Sequence, residues 1–362
     1  MMKRLQVKKL RLIIQRGWLP IAGFVLLGLV IVALLWTNNT KEREISTTQQ
    51  LPVISTTPSG KGRAIAVATS AQLHEALTGA IAGDVITLAD GMYAGKFTSG
   101  KYTGSFGSAA SGIETEPITV IGSRNAVIEG GGNYGLYLVD ANYWTISGIT
   151  VRNATKGIVL DRSNHILLRD ILVSDIEQEG IHFRSFSSDN IITHSTITKT
   201  GLKSPQYGEG VYIGSARSNW KTYSEDRPDA SDRNTITHTT ISQTGAESID
   251  IKEGSSGGSI THNSFDGTGM SGENYADSWV DVKGNDYTID DNTGINSIND
   301  GFQVHSITKE WGHRNSFSRN RANVNGPGYG FLIQSSAKDT KVHCNNIVTN
   351  AAAGMSNLTC TQ

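Results

Sequence analysis

A short strand motif occurs seven times from Gly157 onwards: Gly157-Ile-Val-Leu, Gly180-Ile-His-Phe, Gly210-Val-Tyr-Ile, Ser248-Ile-Asp-Ile, Val280-Asp-Val, Gly301-Phe-Gln-Val and Gly330-Phe-Leu-Ile. A second motif sits inside each unit: Trp144-Thr-Ile-Ser, Ile166-Leu-Leu-Arg, Ile191-Ile-Thr-His, Thr235-Ile-Thr-His, Ser259-Ile-Thr-His, Thr288-Ile-Asp-Asp, Ser316-Phe-Ser-Arg and Lys341-Val-His-Cys. Short strands with period-two alternation, repeating every 20 to 40 residues, predict an all-β right-handed parallel β-helix. A propeller needs about four strands in that length, and a leucine-rich repeat needs its own leucine pattern. Neither is present. Forty glycines against seven prolines suit many short strands punctuated by turns.

In such a solenoid, equivalent residues of successive coils lie one strand spacing apart, about 4.8 Å. The motif Gly-φ-x-φ-z sends its φ positions into the core and x and z towards solvent. The x column reads Val159, His182, Tyr212, Asp250, Asp281, Gln303, Leu332; the z column reads Asp161, Arg184, Gly214, Lys252, Lys283, His305, Gln334. Before the strands come Glu179, Glu209, Glu247, Asp277 and Asp300. Charge is concentrated in the middle coils. Asp250 beside Asp281, and Lys252 beside Lys283, set like charges on adjacent strands, which costs stability unless cross-pairing or a ligand offsets it.

That pattern suits an acidic sugar. Lysines can neutralise a uronate carboxylate, and aspartates can accept sugar hydroxyls or hold a calcium ion at Asp250 and Asp281, although no cofactor is required. For β-elimination from a uronate, the expected catalytic residues are Lys252, Lys283, Arg184 and His305. His182, Tyr212, Asp250, Asp281, Glu209, Gln303 and Trp220 are the expected substrate-binding residues. A glycoside hydrolase would instead use Asp250 and Asp281 as its carboxylate pair. A non-catalytic carbohydrate-binding or adhesion module is equally compatible with the fold. A concave groove walled by long loops favours an enzyme; a flat exposed sheet favours the module. The loop Asn219 to Arg233, with Trp220 and Tyr223, is a candidate wall, and Trp279 and Trp311 are candidate flanks. His194, His238 and His262 share one turn column, as a structural ladder or a metal site.

Ser70 reads as a helix N-cap, and Leu73, Ala76, Leu77, Ala80 and Ile81 share one helical face. Such a helix caps the open end of a solenoid. The segment Ala71-Gln-Leu…Ala76-Leu…Gly83-Asp-Val-Ile-Thr-Leu-Ala-Asp-Gly-Met-Tyr resembles the N-terminal cap of the chondroitinase B and alginate lyase family. The coils beyond it look like the pectate-lyase-like superfamily. The resemblance implies a carbohydrate-directed activity. It carries over no catalytic residue, since that family's signature and the polygalacturonase motifs match no stretch here.

Residues 19–36 form an uncharged run, LPIAGFVLLGLVIVALLW, preceded by Lys3, Arg4, Lys8, Lys9, Arg11 and Arg16. Eighteen apolar residues approach the length that spans a bilayer core, and the basic flank sets the N-terminus in the cytoplasm. A cleaved signal peptide is the rival reading. The expected organisation is a cytoplasmic tail at 1–18, a membrane anchor at 19–36, a polar linker at 37–63 and a β-helix at 64–362. The β-helix would then lie outside the cytoplasm, where Cys344 and Cys360 can pair. Formal net charge is −1, which gives no field for nucleic acid. The expected partners are an acidic polysaccharide and, through the N-terminal helix, the membrane, with the protein itself a monomer.

Overall fold

A computed structural model describes residues 54–362. The expected basic tail, the anchor and most of the linker lie outside the described residues. Among the described residues, no helix is long and apolar enough to cross a membrane.

The chain winds as a right-handed parallel β-helix with three sheets of eleven, ten and eleven strands. The Trp144-Thr-Ile-Ser type of motif builds the first sheet and the glycine-led motif builds the third. The second sheet, including Leu172–Ile176, Thr196–Thr198 and Thr240–Ser242, follows the first after a very tight corner. Ile146, Leu168, Ile192, Ile236, Ile260, Ile289 and Phe317 stack in one buried column of the first sheet. Full burial of each such side chain is worth about 1.5–3 kcal/mol. This repeated burial holds the coils in register.

The corner from the first to the second sheet is two residues long in the middle coils: Asp170-Ile171, His194-Ser195, His238-Thr239, His262-Asn263, Asp291-Asn292 and Arg319-Asn320. The first residue of each pair has positive φ, between 50° and 57°. The second points inward, and Asn263, Asn292, Asn320 and Asn346 form a buried amide ladder. Each Nδ2 of the first three donates to the Oδ1 of the next and to a strand carbonyl. The histidines of this corner stack with ring centroids 4.8 Å apart.

The capping helix runs Ser70–Thr78, but its N-cap is Thr69, one residue earlier than expected. Thr69 Oγ1 accepts from Gln72 N–H, and the Gln72 side chain accepts from Thr69 N–H, which closes a capping box. Leu73, Ala76 and Leu77 are buried as expected; Ile81 lies beyond the helix and is exposed. Trp279 is not a flank of the outer face. It is fully buried at the inward position where other coils carry glycine, and Gly294 and Gly301 leave room for its ring. Cys344 and Cys360 form a disulfide that staples the chain end.

Candidate active site

The x column pairs in the expected register, Val159–His182–Tyr212–Asp250–Asp281–Gln303–Leu332. The column before the strands differs at one rung. Register aligns Ser278, not Asp277, with Asp300, and Asp277 instead accepts from Gln303 and Asn299. At Gly157, Gly180 and Gly210 a Cβ would come within 2.7 Å of a core side chain, so these coils pack closely just before the strand. Lys156, Glu179 and Glu209, which precede these glycines, line a cleft on the outer face.

This face is not the solvent-exposed surface expected from alternation alone. Glu179, His182, Glu209, Glu247, Asp250 and Asp281 are all buried. Loops from both flanking corners rise beside the third sheet. Tyr207, Asn274 and Tyr275 come from the corner before it; Ser215–Asn219, Tyr223 and Ile307 come from the corner after it. Between them lie two cavities of about 630 and 300 Å³, which share Glu209, Lys252 and Asn274. The face is therefore a groove.

Charges on the floor cross-pair. Lys252 Nζ lies 2.5 Å from Asp250. Lys283 Nζ bridges Asp250 at 2.8 Å and Asp281 at 2.5 Å, and His305 Nδ1 lies 2.8 Å from Asp281. At the other end Lys156 pairs with Glu179, whose carboxylate lies 3.5 Å from His182 Nδ1. His182 packs edge-on against Tyr212, and Lys252 sits 5.1 Å above the Tyr212 ring centre. This interlacing offsets the like-charge rungs seen in the sequence.

The network sorts the protonation states. Burial would lower the pKa of both lysines, but Asp250 and its acidic neighbours outweigh it and hold them charged. Burial would raise Asp281, yet Lys283 and His305 keep it well below the usual carboxylate range. Glu209 goes the other way: burial and the charges of Glu179 and Asp250 push it up to about 8. Burial and Asp250 likewise raise Glu247 well above its ordinary value. Burial and Asp250 also raise Tyr212, whereas burial lowers His182 despite Glu179. For His305, Asp281 outweighs burial and raises the imidazole.

Of the candidate residues, Lys252, Lys283, Asp250, Asp281, Glu209 and His305 come together around the smaller cavity, and His182 and Tyr212 join Lys252 and Glu209 around the larger one. Arg184, Gln303 and Trp220 line neither cavity. Arg184 is fully buried in a bidentate pair with Asp161 and packs under Tyr102 and Tyr223. Gln303 is held by Asp277 and Asp300. Trp220 is buried with its indole N–H on the Ser215 carbonyl, so Tyr223, not Trp220, faces the cleft. Lys283 fills the point between Asp250 and Asp281 where a calcium ion would sit. Glu209, Glu247 and Asp250 also bring carboxyl oxygens within 4.8 Å of one another, but two of these groups are held towards their neutral forms and Lys252 lies beside them. Lys283 therefore takes the place of a cation at Asp250 and Asp281, while the three clustered carboxyl groups supply part of the six to eight oxygens that a calcium ion needs.

Lys156, Asn274 and Tyr275 also line the groove. Lys156 could be found by extending the column before the strands by one coil. Asn274 and Tyr275 sit on an irregular turn with positive φ at both residues, outside any repeat, and Tyr275 is 89% exposed over the smaller cavity.

Residues 88–226 match the family described as right handed beta helix region. The chain is similar to the crystal structure of an alginate lyase from Paenibacillus sp. str. FPU-7, with 38% identity and a TM-score of 0.75 over 83% of this chain and 99% of that one. It is also similar to pectate lyase Pel9A, at 16% identity and TM-score 0.54 over 81% of this chain and 79% of that one. A rhamnogalacturonan lyase follows at 13% identity and TM-score 0.53, over 75% of this chain and 80% of that one. These last two share the fold alone. A comparison with curated protein sequences finds no match. The 38% identity over nearly the whole of the Paenibacillus enzyme places this chain in a family: it belongs to the right-handed parallel β-helix proteins that include that alginate lyase.

Proposed function

We propose that the protein is a polysaccharide lyase that cleaves a uronic-acid polymer of the alginate type by β-elimination in this groove. One observation carries the reading: Lys252 is a charged, largely buried lysine at the junction of the two cavities, 14% exposed and bound to a single carboxylate. It is positioned to neutralise the carboxylate of a uronate lying across both cavities. Neutralisation makes the C5 proton acidic, which is the main barrier to elimination.

A flanking group supplies the base. The Nδ1–H of His305 donates to Asp281, which leaves the Nε2 lone pair for the smaller cavity and makes it the base for the C5 proton. As that proton leaves, the C4–O bond breaks and the C4–C5 double bond forms. Tyr212, kept protonated beside Lys252, lies three coils from His305 in the larger cavity, where its hydroxyl holds the neighbouring sugar, and water in the open groove protonates the departing oxygen. Lys283 is bound to both aspartates and holds Asp281 ionised behind His305, so its role is positioning. No step runs through a metal. The hydrolase reading is weaker, because Asp250 and Asp281 both accept from Lys283, which occupies the oxygens that a general acid and its partner would turn to the sugar.

The test is absorbance of the unsaturated product with alginate and pectate. The Lys252→Ala variant should lose at least 100-fold in kcat/KM, in keeping with loss of an electrostatic contact to the developing charge. An inactive parent protein, or a fully active variant, would defeat the proposal.

A further inference from the structure

A third hollow, of about 740 Å³, opens beside the smaller cavity and shares Ile307 with it. Arg217, Lys309, Lys338 and His313 line it, with Glu310 as the acid among them. Arginines elsewhere on the domain are mostly spent on carboxylates, as with Arg63, Arg152, Arg162, Arg233 and Arg314. Among the described residues, Arg217 and Lys309 have no ion-pair partner, and Lys338 Nζ donates to the Ser335 carbonyl. A patch of cations left open beside a groove calls for an anion.

The hollow is also held in shape. His313 ties the two lysine-bearing segments together: Nε2–H donates to the Lys309 carbonyl at 2.7 Å, and Nδ1 accepts from the Lys338 N–H at 3.0 Å. Its backbone N–H donates to Asn285. Arg217 is fixed by its own N–H, which donates at 2.6 Å to the buried carboxylate of Glu253. Arg217 belongs to the same loop that walls the larger cavity through Ser215, Ala216, Ser218 and Asn219. The cationic hollow therefore continues the groove towards the C-terminal coils.

We infer that this hollow is a second anion subsite, which binds carboxylates of uronate units beyond the reacting one when a polymer lies along the groove. The inference rests on the proposed lyase reading for its ligand class. It adds that affinity should grow with chain length in one direction from Lys252, and that the added affinity should depend on salt. Short oligomers that end before Ile307 gain nothing from it.

The test measures binding rather than turnover, so it stands apart from the lyase assay. In the full chain carrying His305→Gln, which removes the proposed base, calorimetry compares sodium alginate with a uronate disaccharide at two salt concentrations. Adding Arg217→Ser, Lys309→Ser and Lys338→Ser should weaken the polymer about tenfold at low salt, as expected for several exposed charge contacts. Disaccharide affinity should not change, and the salt dependence of polymer binding should fall. Thermal unfolding of the variant is read alongside; a single Lys309→Glu change serves if the triple variant is destabilised. Polymer affinity equal to that of the background, or an equal loss for the disaccharide, would overturn the subsite. If the parent makes no unsaturated product but the charge variants still lose polymer affinity, the lyase reading fails and the subsite stands.

Discussion

Replacing Lys283 with methionine keeps most of the side-chain volume and removes the ammonium that joins Asp250 to Asp281. The lysine is only 12% exposed and the two carboxylates are 2% and 5% exposed, so solvent would replace little of the lost interaction. Breaking a buried pair from one side costs about 3–5 kcal/mol. Asp250 keeps Lys252 and Asp281 keeps His305, which points to the lower end, about 3 kcal/mol. For a domain of this size that corresponds to a drop of roughly 5–10 °C in Tm.

The pH dependence gives a sharper check. In the parent, Asp281 is held below its unfolded pKa, so its contribution is present above about pH 4 and is lost as pH falls through the lower folded value. Without Lys283 the folded pKa of Asp281 moves back towards its unfolded value, and the variant has less of this contribution to lose as pH falls. The stability gap between parent and variant, read from urea midpoints, should therefore stay level from pH 7 to pH 5 and narrow below about pH 4. A triple change of Lys283→Met, Asp250→Asn and Asp281→Asn should recover much of the loss. A gap below about 1 kcal/mol at pH 7, the value of an exposed pair, would refute the reasoning, as would a gap that stays constant below about pH 4.

Two further outcomes follow from the same structure. His305 must be neutral at Nε2 to act as base, so kcat/KM should fall as pH drops through its raised pKa, and should fall again above about pH 8 as Glu209 ionises beside Lys252. His305→Gln should cost about 10²–10⁴-fold and abolish the acid limb, and Glu209→Gln should abolish the alkaline limb; pH–rate profiles of the three proteins decide it. Asn292→Ala breaks the amide ladder by removing the partners of Asn263, Asn320 and the Ile260 carbonyl, and should cost about 2–4 kcal/mol in urea unfolding, with amide exchange accelerated first at the neighbouring corners.

The coil register was legible because strand repeats convert directly into neighbours. Asp250 opposite Asp281, and Tyr212 opposite Asp250, follow from the spacing alone. The second sheet was harder to read, since its short Thr-Ile-Thr and Thr-Ile-Ser strands merge with the preceding motif across a two-residue corner. Burial of the outer columns could not be read from alternation. It depends on loops whose lengths follow no period, such as the one carrying Asn274 and Tyr275. Arg184 illustrates the limit: in the column it looks like Lys252, and only its contact with Asp161 assigns it to packing.

The corners divide the solenoid into one uniform edge and two open ones. Between the first and second sheets the middle coils spend two residues each, in one backbone conformation, and leave no slack. Every long excursion, Lys199–Gly210, Gly214–Asn234, Gly267–Asp277 and His305–Asn315, departs beside the third sheet. A chain of this kind can acquire a new ligand preference by lengthening or exchanging those excursions, while the winding edge keeps the pitch of the groove floor unchanged. The fold works as a ruler with one fixed side, against which different walls can be set.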